Sequence, residues 1–498
     1  MRGRTIGEDL RVSAAAEPDK PAVIAPEGEL SYGELDRAAD RLAVGLAHNG
    51  VRRGDRVATL LPNSLEAAIA IYGIFRAGAA ISPLNPTVKA RKLAYVLDDS
   101  GARAVICDEE RAGTAREAAE QAADRVHVFS GVESVPTGEA GLHKPLSVDL
   151  AGVVYTSGST GEPKGVAVTH QTMTFVADSI IEYLAMDVSE RVLCVLPLSF
   201  GYGLYQLLTC VRSGGTLVLE PGFAFAGRVV SLLAEQRITA LPGVPTVFGV
   251  LLSLRGLGER EFPELRTLTN AGAPMAEPMI QSLRSTFPNA RFYSMYGQTE
   301  AQRICYLPPD ELEQRPTSVG IPIPGTEAWI EDADGNVPVP GAVGELMVRG
   351  THVMLEYWNK PEATAEKLRA GRWPWERVLA TGDLFRRDEE GYLYFVSRRD
   401  DIIKSRGEKV VPKEIEDLLH TVSGVREAAV VGIPDKLLGE AVIAHVAPHT
   451  DAELDPGELR RLCAERLEDY MVPKRVVVHD ELPRTGNGKL DRATLREH

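Results

Sequence analysis

The chain has 498 residues, 44% hydrophobic and 25% charged, a composition that provides a large core and excludes collagen-like or disordered architecture. Asp and Glu number 70 against 55 Lys and Arg, and the resulting net charge of −15 argues against a nucleic-acid or anionic-membrane binder, because such surfaces attract basic patches. At roughly 150 residues per domain the length suggests about three structural units, or two if the α/β domains are large.

The N-terminal stretch MRGRTIGEDLRVSAAAEPDKPAV is interrupted by charges before an apolar run of signal-peptide length develops. No segment reaches the roughly 18 uninterrupted apolar residues of a spanning helix, so a cytoplasmic protein without a membrane span is expected. Cys107, Cys194, Cys210, Cys305 and Cys463 are odd in number, far apart and free of any C-x-x-C pair, and the ten histidines contain no H-E-x-x-H. Reduced thiols, rather than a disulfide framework or a cysteine-based zinc site, follow from that spacing.

In chain order, RVATLLP (56–62) reads as a strand, SLEAAIAIYGIFRAGA (64–79) as a small-residue helix, and ARAVICD (102–108) and RVLCVLP (191–197) as further strands. Strands alternating with helices of this length predict parallel α/β layers. Between about 317 and 395, GTEAWIED, GELMVRG and GYLYFVS are strands separated by Gly, Pro and Asp turns, which predicts a small antiparallel sheet or barrel. Charge density rises abruptly at SRRDDIIKSRG (397–407). Beyond it a helix (412–421), strands (426–433 and 441–447), a helix (456–469) and a short strand (474–479) suffice for a compact α+β domain.

Five clusters carry chemistry. YTSGSTGEPKGV, Tyr155 to Val166, follows the apolar strand LAGVVY and gathers Thr156, Ser157, Ser159, Thr160 and Lys164 around Gly158, Gly161 and Gly165. Glycines let backbone N–H groups approach an anion while hydroxyls and lysine add donors and charge, so a phosphate cradle follows. The spacing does not fit the Walker A pattern, and the apolar strand before and GVAVTH after set it apart from a Ser/Gly linker. YSMYGQTE (293–300) places Tyr296, Gly297, Thr299 and Glu300 behind a strand: a ring to stack on a base, a hydroxyl for phosphate, a carboxylate for Mg²⁺. TGDL (381–384) offers Asp383, able to accept both hydroxyls of a ribose, although Gly-Asp also marks ordinary turns. RRDDIIKSRGEKVVPKEIE (398–416) reads as a charged linker entering a helix near Pro412. In PRTGNGKLDR (483–492), Asn487-Gly488 makes a tight turn that projects Lys489.

In this order and at these separations the clusters resemble the adenylate-forming superfamily of acyl-CoA synthetases, aryl-CoA ligases, luciferases and peptide-synthetase adenylation domains, from about residue 20 to 492. The resemblance implies a large N-terminal domain (1–396) of stacked α/β layers with a small β-barrel (317–396), a hinge (397–400) and a mobile α+β C-terminal domain (401–498). It implies ATP-dependent formation of acyl-AMP with release of pyrophosphate, then transfer to the pantetheine thiol of CoA or of a carrier protein. By the same resemblance Thr156, Ser157, Gly158, Ser159, Thr160, Gly161 and Lys164 hold the β- and γ-phosphates, and Ala271, Gly272 and Ala273 lie close to adenine and acyl group. Tyr296 with Gly297 stacks on adenine, Thr299 contacts the α-phosphate, Glu300 binds Mg²⁺, Asp383 accepts the ribose hydroxyls and Arg398 contacts ribose or phosphate. Lys489 bridges the attacking carboxylate and the α-phosphate, Asp400 is the hinge and Gly407 lines the thiol tunnel.

The acyl pocket is expected from Ser199, Phe200, Gly201, Tyr202 and Gly203, facing Ala271 and Gly272. Phe200 stands where many acyl-CoA synthetases carry histidine. Amino-acid-activating domains carry an aspartate near Gly201, and none is present, which turns the reading toward a non-amino carboxylic acid with amino-acid adenylation as the alternative. GYGLYQ reads as pocket wall and turn. Which acid, which thiol acceptor, and monomer or homodimer stay open.

Overall fold

The computed structural model describes residues 4–156, 163–223, 225–406, 408–435, 438–449, 452–485 and 489–497. Local chemistry sets the helix ends. Ser31 opens the helix Tyr32–His48 with a capping box to Glu34, and Ser64 caps Leu65–Arg76 by accepting from the Ala67 N–H. These two helices meet at Gly73, where an added Cβ would lie 2.6 Å from a Leu42 methyl. The small-residue pattern of the second helix is therefore a packing requirement.

Two sheets form the body of the N-terminal domain. One has nine strands in the order Ile321–Pro322, Cys305–Tyr306, Arg291–Tyr296, Thr267–Asn270, Ala240–Gly243, Arg191–Cys194, Thr216–Leu219, Pro21–Ala25 and Gly28–Ser31. Its centre, from Arg291–Tyr296 to Pro21–Ala25, is parallel. The other has seven, in the order Glu356–Tyr357, Lys164–Thr169, Leu150–Thr156, Ala80–Pro83, Arg56–Leu60, Ala102–Cys107 and His127–Ser130. Helices Ile6–Ala16, Tyr32–His48, Leu65–Arg76, His170–Leu184 and Gly201–Ser213 share one continuous core with strands of both sheets. Ala90–Ser100 and Ala112–Gln121 bury a separate cluster against the second sheet. The predicted parallel layers are thus observed, with the helix–sheet packing that parallel strands demand.

The β-rich region pairs Glu327–Glu331, Gly344–Arg349, Arg377–Arg387 and Leu368–Ala370 in an antiparallel path, with Leu393–Arg398 added to Arg377–Arg387. The path is open. Nothing pairs Glu327–Glu331 with Leu368–Ala370, so the expected barrel closure is not found and the region is a five-stranded sheet. One short strand of the region, Glu356–Tyr357, leaves it to join Lys164–Thr169.

The C-terminal domain has its own five-stranded sheet built on the long pair Val425–Asp435 and Gly439–Pro448, with helices Pro412–His420 and Pro456–Arg466. Its cores on the two faces contain no N-terminal residue. The molecule is therefore a two-domain α/β protein. All five cysteines are buried free thiols, and burial pushes the Cys194 thiol up to about 12. No helix among the described residues is long and apolar enough to cross a membrane.

Candidate active site

Parallel strands present their carboxyl ends on one edge, where loops are free to carry function. Thr267–Asn270 delivers Ala271–Gly272–Ala273 there, and Arg291–Tyr296 delivers Tyr296 through Glu300. The β-rich sheet faces this edge. Tyr296 donates its hydroxyl to the Asp383 carboxylate and sets its ring edge against Phe385, with centroids 4.9 Å apart. Asp383 is 8% exposed, and burial pushes its carboxyl above the ordinary aspartate range while the Tyr296 hydroxyl and the Arg398 charge pull it back.

Asp383 does not sit in a turn. TGDL lies inside the strand Arg377–Arg387, and Gly382, at φ +78°, bends that strand where its register with Gly344–Arg349 and Leu393–Arg398 shifts. Glycine is needed for that backbone, and the bulge turns the next side chain toward the cleft. Arg398 pairs opposite Asp383 in the ladder, its Nε 3.5 Å from the carboxylate, and is 60% exposed.

Glu300 accepts a 2.6 Å hydrogen bond from Tyr357, and its backbone carbonyl accepts from the Met354 N–H. The Tyr357 ring also lies 5.3 Å from the Lys164 ammonium. Lys164 in turn opens the strand Lys164–Thr169 directly opposite Thr156, at the end of an antiparallel hairpin. The phosphate-cradle residues Ser157, Gly158, Ser159, Thr160 and Gly161 lie outside the described residues. Tyr357, 57 residues from Glu300, was not foreseen from sequence: a lone tyrosine carries no signal until its two-residue strand joins the hairpin. The Thr299 carbonyl accepts from the Gln302 side chain.

The first residues of GYGLYQ form the start of the helix Gly201–Ser213, not a turn, with Phe200 as its N-cap. Tyr202 is buried and its hydroxyl lies 2.6 Å from the Thr269 hydroxyl and 2.9 Å from the Thr269 carbonyl. Gly201 borders Gln302, whereas Gly203 packs on the Leu196 and Pro197 carbonyls, where a Cβ would come within 2.2 Å. Gly297 is equally confined, by the Gln302 carbonyl.

From the other domain, Arg484 bridges to Leu490 and the Thr485 N–H donates to the Lys489 carbonyl; the predicted Asn487-Gly488 turn lies outside the described residues. The Lys489 ammonium lies 5.5 Å from the Phe200 ring centroid, and a Cβ on Gly272 would be 3.8 Å from its Cε. Lys489 keeps solvent access through the cleft mouth, yet partial dehydration and then the Arg398 charge push its pKa below the ordinary lysine value. Asp383 and Glu300 pull it back up. Arg484 donates to the Thr246 hydroxyl at 2.6 Å, a direct link between the domains. Asp400 belongs to the single turn Arg399–Asp401, and Gly407 lies outside the described residues.

The cleft therefore brings an aromatic ring, two carboxylates, an exposed arginine and an ammonium from a second domain to one strand edge. Residues 10–358 match the family of AMP-binding enzymes and residues 414–489 match the AMP-binding enzyme C-terminal domain. Feruloyl-CoA synthase of an Amycolatopsis species is 34% identical over 100% of this chain and 99% of its own length. The ATP-bound structure of MatB from Rhodopseudomonas palustris superposes with a TM-score of 0.90 at 29% identity over 99% of each chain. The o-succinylbenzoate CoA synthetase of Bacillus subtilis with its acyl-adenylate intermediate gives 0.87 at 30% identity, over 100% of this chain and 99% of that one. Fold and cleft thus define an adenylate-forming enzyme of the acyl- and aryl-CoA ligase kind. The chain belongs to the AMP-binding enzyme family, and it is an AMP-forming acid–thiol ligase.

Proposed function

We propose that the cleft activates a non-amino carboxylic acid with ATP to give acyl-AMP and pyrophosphate, then passes the acyl group to the pantetheine thiol of CoA. The first step brings an ionised acid to a polyphosphate. Two unit charges at about 4 Å repel by roughly 1 kcal/mol in water and roughly 4 kcal/mol at a protein surface. Positioned cations must offset that repulsion, so the step is one of placement and electrostatics.

Lys489 is the cation that bridges the attacking carboxylate and the α-phosphate, a role suited to a compact ammonium on a flexible stem. Tyr296, with Gly297, stacks on adenine beside Ala271, Gly272 and Ala273; Asp383 accepts the ribose hydroxyls; Arg398 reaches ribose or phosphate. Thr299 contacts the α-phosphate. Thr156, Lys164 and the loop between them hold the β- and γ-phosphates until pyrophosphate leaves. Burial holds the Asp383 carboxyl above the ordinary aspartate range, and two ribose hydroxyls would add donors to the one that Tyr296 supplies.

Glu300 fits a Mg²⁺ ligand. Its Oε1 takes the Tyr357 hydroxyl, and no group of three acidic, histidine or cysteine side chains gathers among the described residues. A single carboxylate completed by substrate phosphates and water is how Mg²⁺ is usually held, rather than a protein cage. When bound, the ion neutralises phosphate charge. For the second step, rotation about Asp400 withdraws Lys489 and brings the loop around Gly407 to line a tunnel for the thiol, where a larger residue obstructs it.

The observation that carries the reading is the seat of Lys489 between Phe200 and Gly272 in the cleft that also holds Tyr296, Asp383 and Glu300. It is tested by acid-dependent pyrophosphate release over a panel of acids and amino acids, followed by AMP-dependent thioester formation with CoA or a carrier protein. Release with no acid refutes it, and release with amino acids alone selects the alternative substrate class.

A further inference from the structure

The hairpin that ends in Thr156 and Lys164 is anchored from outside its own two strands. Tyr155 precedes Thr156 on one leg, and Pro163 precedes Lys164 on the other. The helix Ala90–Ser100 reaches both. Asp99 accepts a 2.7 Å hydrogen bond from the Tyr155 hydroxyl, and the Tyr95 hydroxyl donates to the Pro163 carbonyl at 3.2 Å. Tyr95 and Asp99 are four residues apart, the spacing that puts two side chains on one face of a helix. Burial and then the Asp99 carboxylate push the Tyr155 hydroxyl well above the ordinary tyrosine range, so it remains a donor at neutral pH. Tyr155 pairs with Gly165 across the hairpin, where a Cβ would lie 2.6 Å from a Val153 methyl and 3.0 Å from the Tyr155 ring. This glycine of the motif therefore makes room for the ring that Asp99 holds.

The same helix end also holds the segment that carries Tyr357. The Asn359 side chain donates to the Asp99 carbonyl at 2.9 Å, and the Lys360 ammonium lies 3.6 Å from the Asp99 carboxylate and 5.8 Å from the Tyr95 ring centroid. Between them and the hairpin, the Trp358 N–H donates to the Gly165 carbonyl at 2.7 Å. Tyr357 in turn bonds Glu300 and lies beside Lys164. One turn of helix thus ties both legs of the hairpin and the tyrosine that steadies Glu300.

We infer that Tyr95 and Asp99 are positioning residues for the β- and γ-phosphates: by holding Tyr155 and Pro163 they fix the spacing of Thr156 and Lys164, a role that rests on the reading above that these two and the residues between them hold those phosphates. Both act through the hairpin and not on the ligand. Groups held in place beforehand lose less freedom when the ligand binds, so the ties should strengthen binding of ATP and pyrophosphate and leave that of AMP alone.

The test measures binding of ATP, pyrophosphate and AMP to the full-length protein, together with thioester formation from supplied acyl-AMP. Tyr95→Phe with Tyr155→Phe keeps both rings and removes both hydroxyls. This double variant should bind ATP and pyrophosphate about tenfold more weakly or worse, the scale of two lost hydrogen bonds, with AMP affinity and the thioester step changed by less than about twofold. Asp99→Asn, whose side-chain carbonyl still accepts from Tyr155, should keep most of the ATP affinity, whereas Asp99→Ala should lose at least as much as Tyr155→Phe alone. Equal weakening of ATP and AMP shows a general structural role and overturns the assignment, as does unchanged binding of all three. Lys164→Met separates the two readings. If it leaves ATP and pyrophosphate binding unaltered, the phosphate reading of the hairpin fails and the role of Tyr95 and Asp99 with it; if it weakens both while the double variant does not, only the role of Tyr95 and Asp99 fails. Should the double variant fail to fold, the two single variants give the same contrast between ATP and AMP, at a several-fold loss each.

Discussion

The two sides of the cleft are prepared differently. On the N-terminal side, Tyr296 is bonded to Asp383 and Tyr357 to Glu300 before any ligand arrives; Tyr357 is buried, and the half-buried Tyr296 packs its ring edge on Phe385. On the C-terminal side the Lys489 ammonium is supplied by a domain with its own cores. The first arrangement is preorganised and static, as binding of a nucleotide requires. The second belongs to no core of the N-terminal domain, which suits the proposed withdrawal of Lys489 between the two steps.

The largest expected effect breaks the movable side. Lys489→Ala should lower acyl-AMP formation by about 10²-fold or more, the scale of losing one charge-stabilising donor in the reacting state. Thioester formation from supplied acyl-AMP should be nearly unchanged. Equal loss in both half-reactions would place Lys489 in general binding instead. Gly407→Leu should show the opposite pattern in the same two assays, and unimpaired thioester formation would remove the tunnel from the scheme.

On the static side, Asp383→Asn separates binding from stability. The Asp383 pKa is raised in the folded protein, so the folded state holds its proton more readily than the unfolded chain. The stabilising contribution of this group is complete below the ordinary aspartate pKa and is lost as pH rises through the folded value. At neutral pH the variant should therefore melt no lower than wild type, while AMP binding weakens by about tenfold, near 1.4 kcal/mol. A lower melting temperature would show that the charge is satisfied in the fold. The smallest effect is expected from Tyr357→Phe, which removes the bond to Glu300. A several-fold rise in the Mg²⁺ concentration needed for half-maximal pyrophosphate release, near 1 kcal/mol, would fit one lost hydrogen bond. The depressed Lys489 pKa adds a pH signature: acyl-AMP formation should fall on an alkaline limb below the ordinary lysine pKa, and Lys489→Arg should abolish that limb if any activity remains.

Much of the fold was legible because periodicity and caps act locally. The strand at 102–108 and the helix at 64–79 appear as Ala102–Cys107 and Leu65–Arg76, and the element order from 412 to 479 is the observed one, with the short helix Arg492–Leu495 added after it. Where reading failed, a longer-range contact had won. GYGLYQ looked like a turn because of its glycines, yet Gly203 is there to let the helix approach the Pro197 carbonyl. TGDL looked like a turn, and it lies inside a strand that Gly382 bends, with the Asp383 carboxylate bonded to Tyr296. The β-rich region promised closure that strand patterns alone do not decide, since closure depends on which edges meet.

Residue types within short segments, taken together with their resemblance to the adenylate-forming superfamily, gathered Thr156, Lys164, Tyr296, Thr299, Glu300, Asp383, Arg398 and Lys489 into one chemical hypothesis, because phosphate, ribose and base each demand particular donors, acceptors or faces. Tertiary structure alone decided that Tyr357 steadies Glu300 and that Lys489 meets Phe200. Those pairs are separated by 57 and 289 residues. Local sequence carries no record of such contacts, since they arise only when sheets, helices and the second domain pack together.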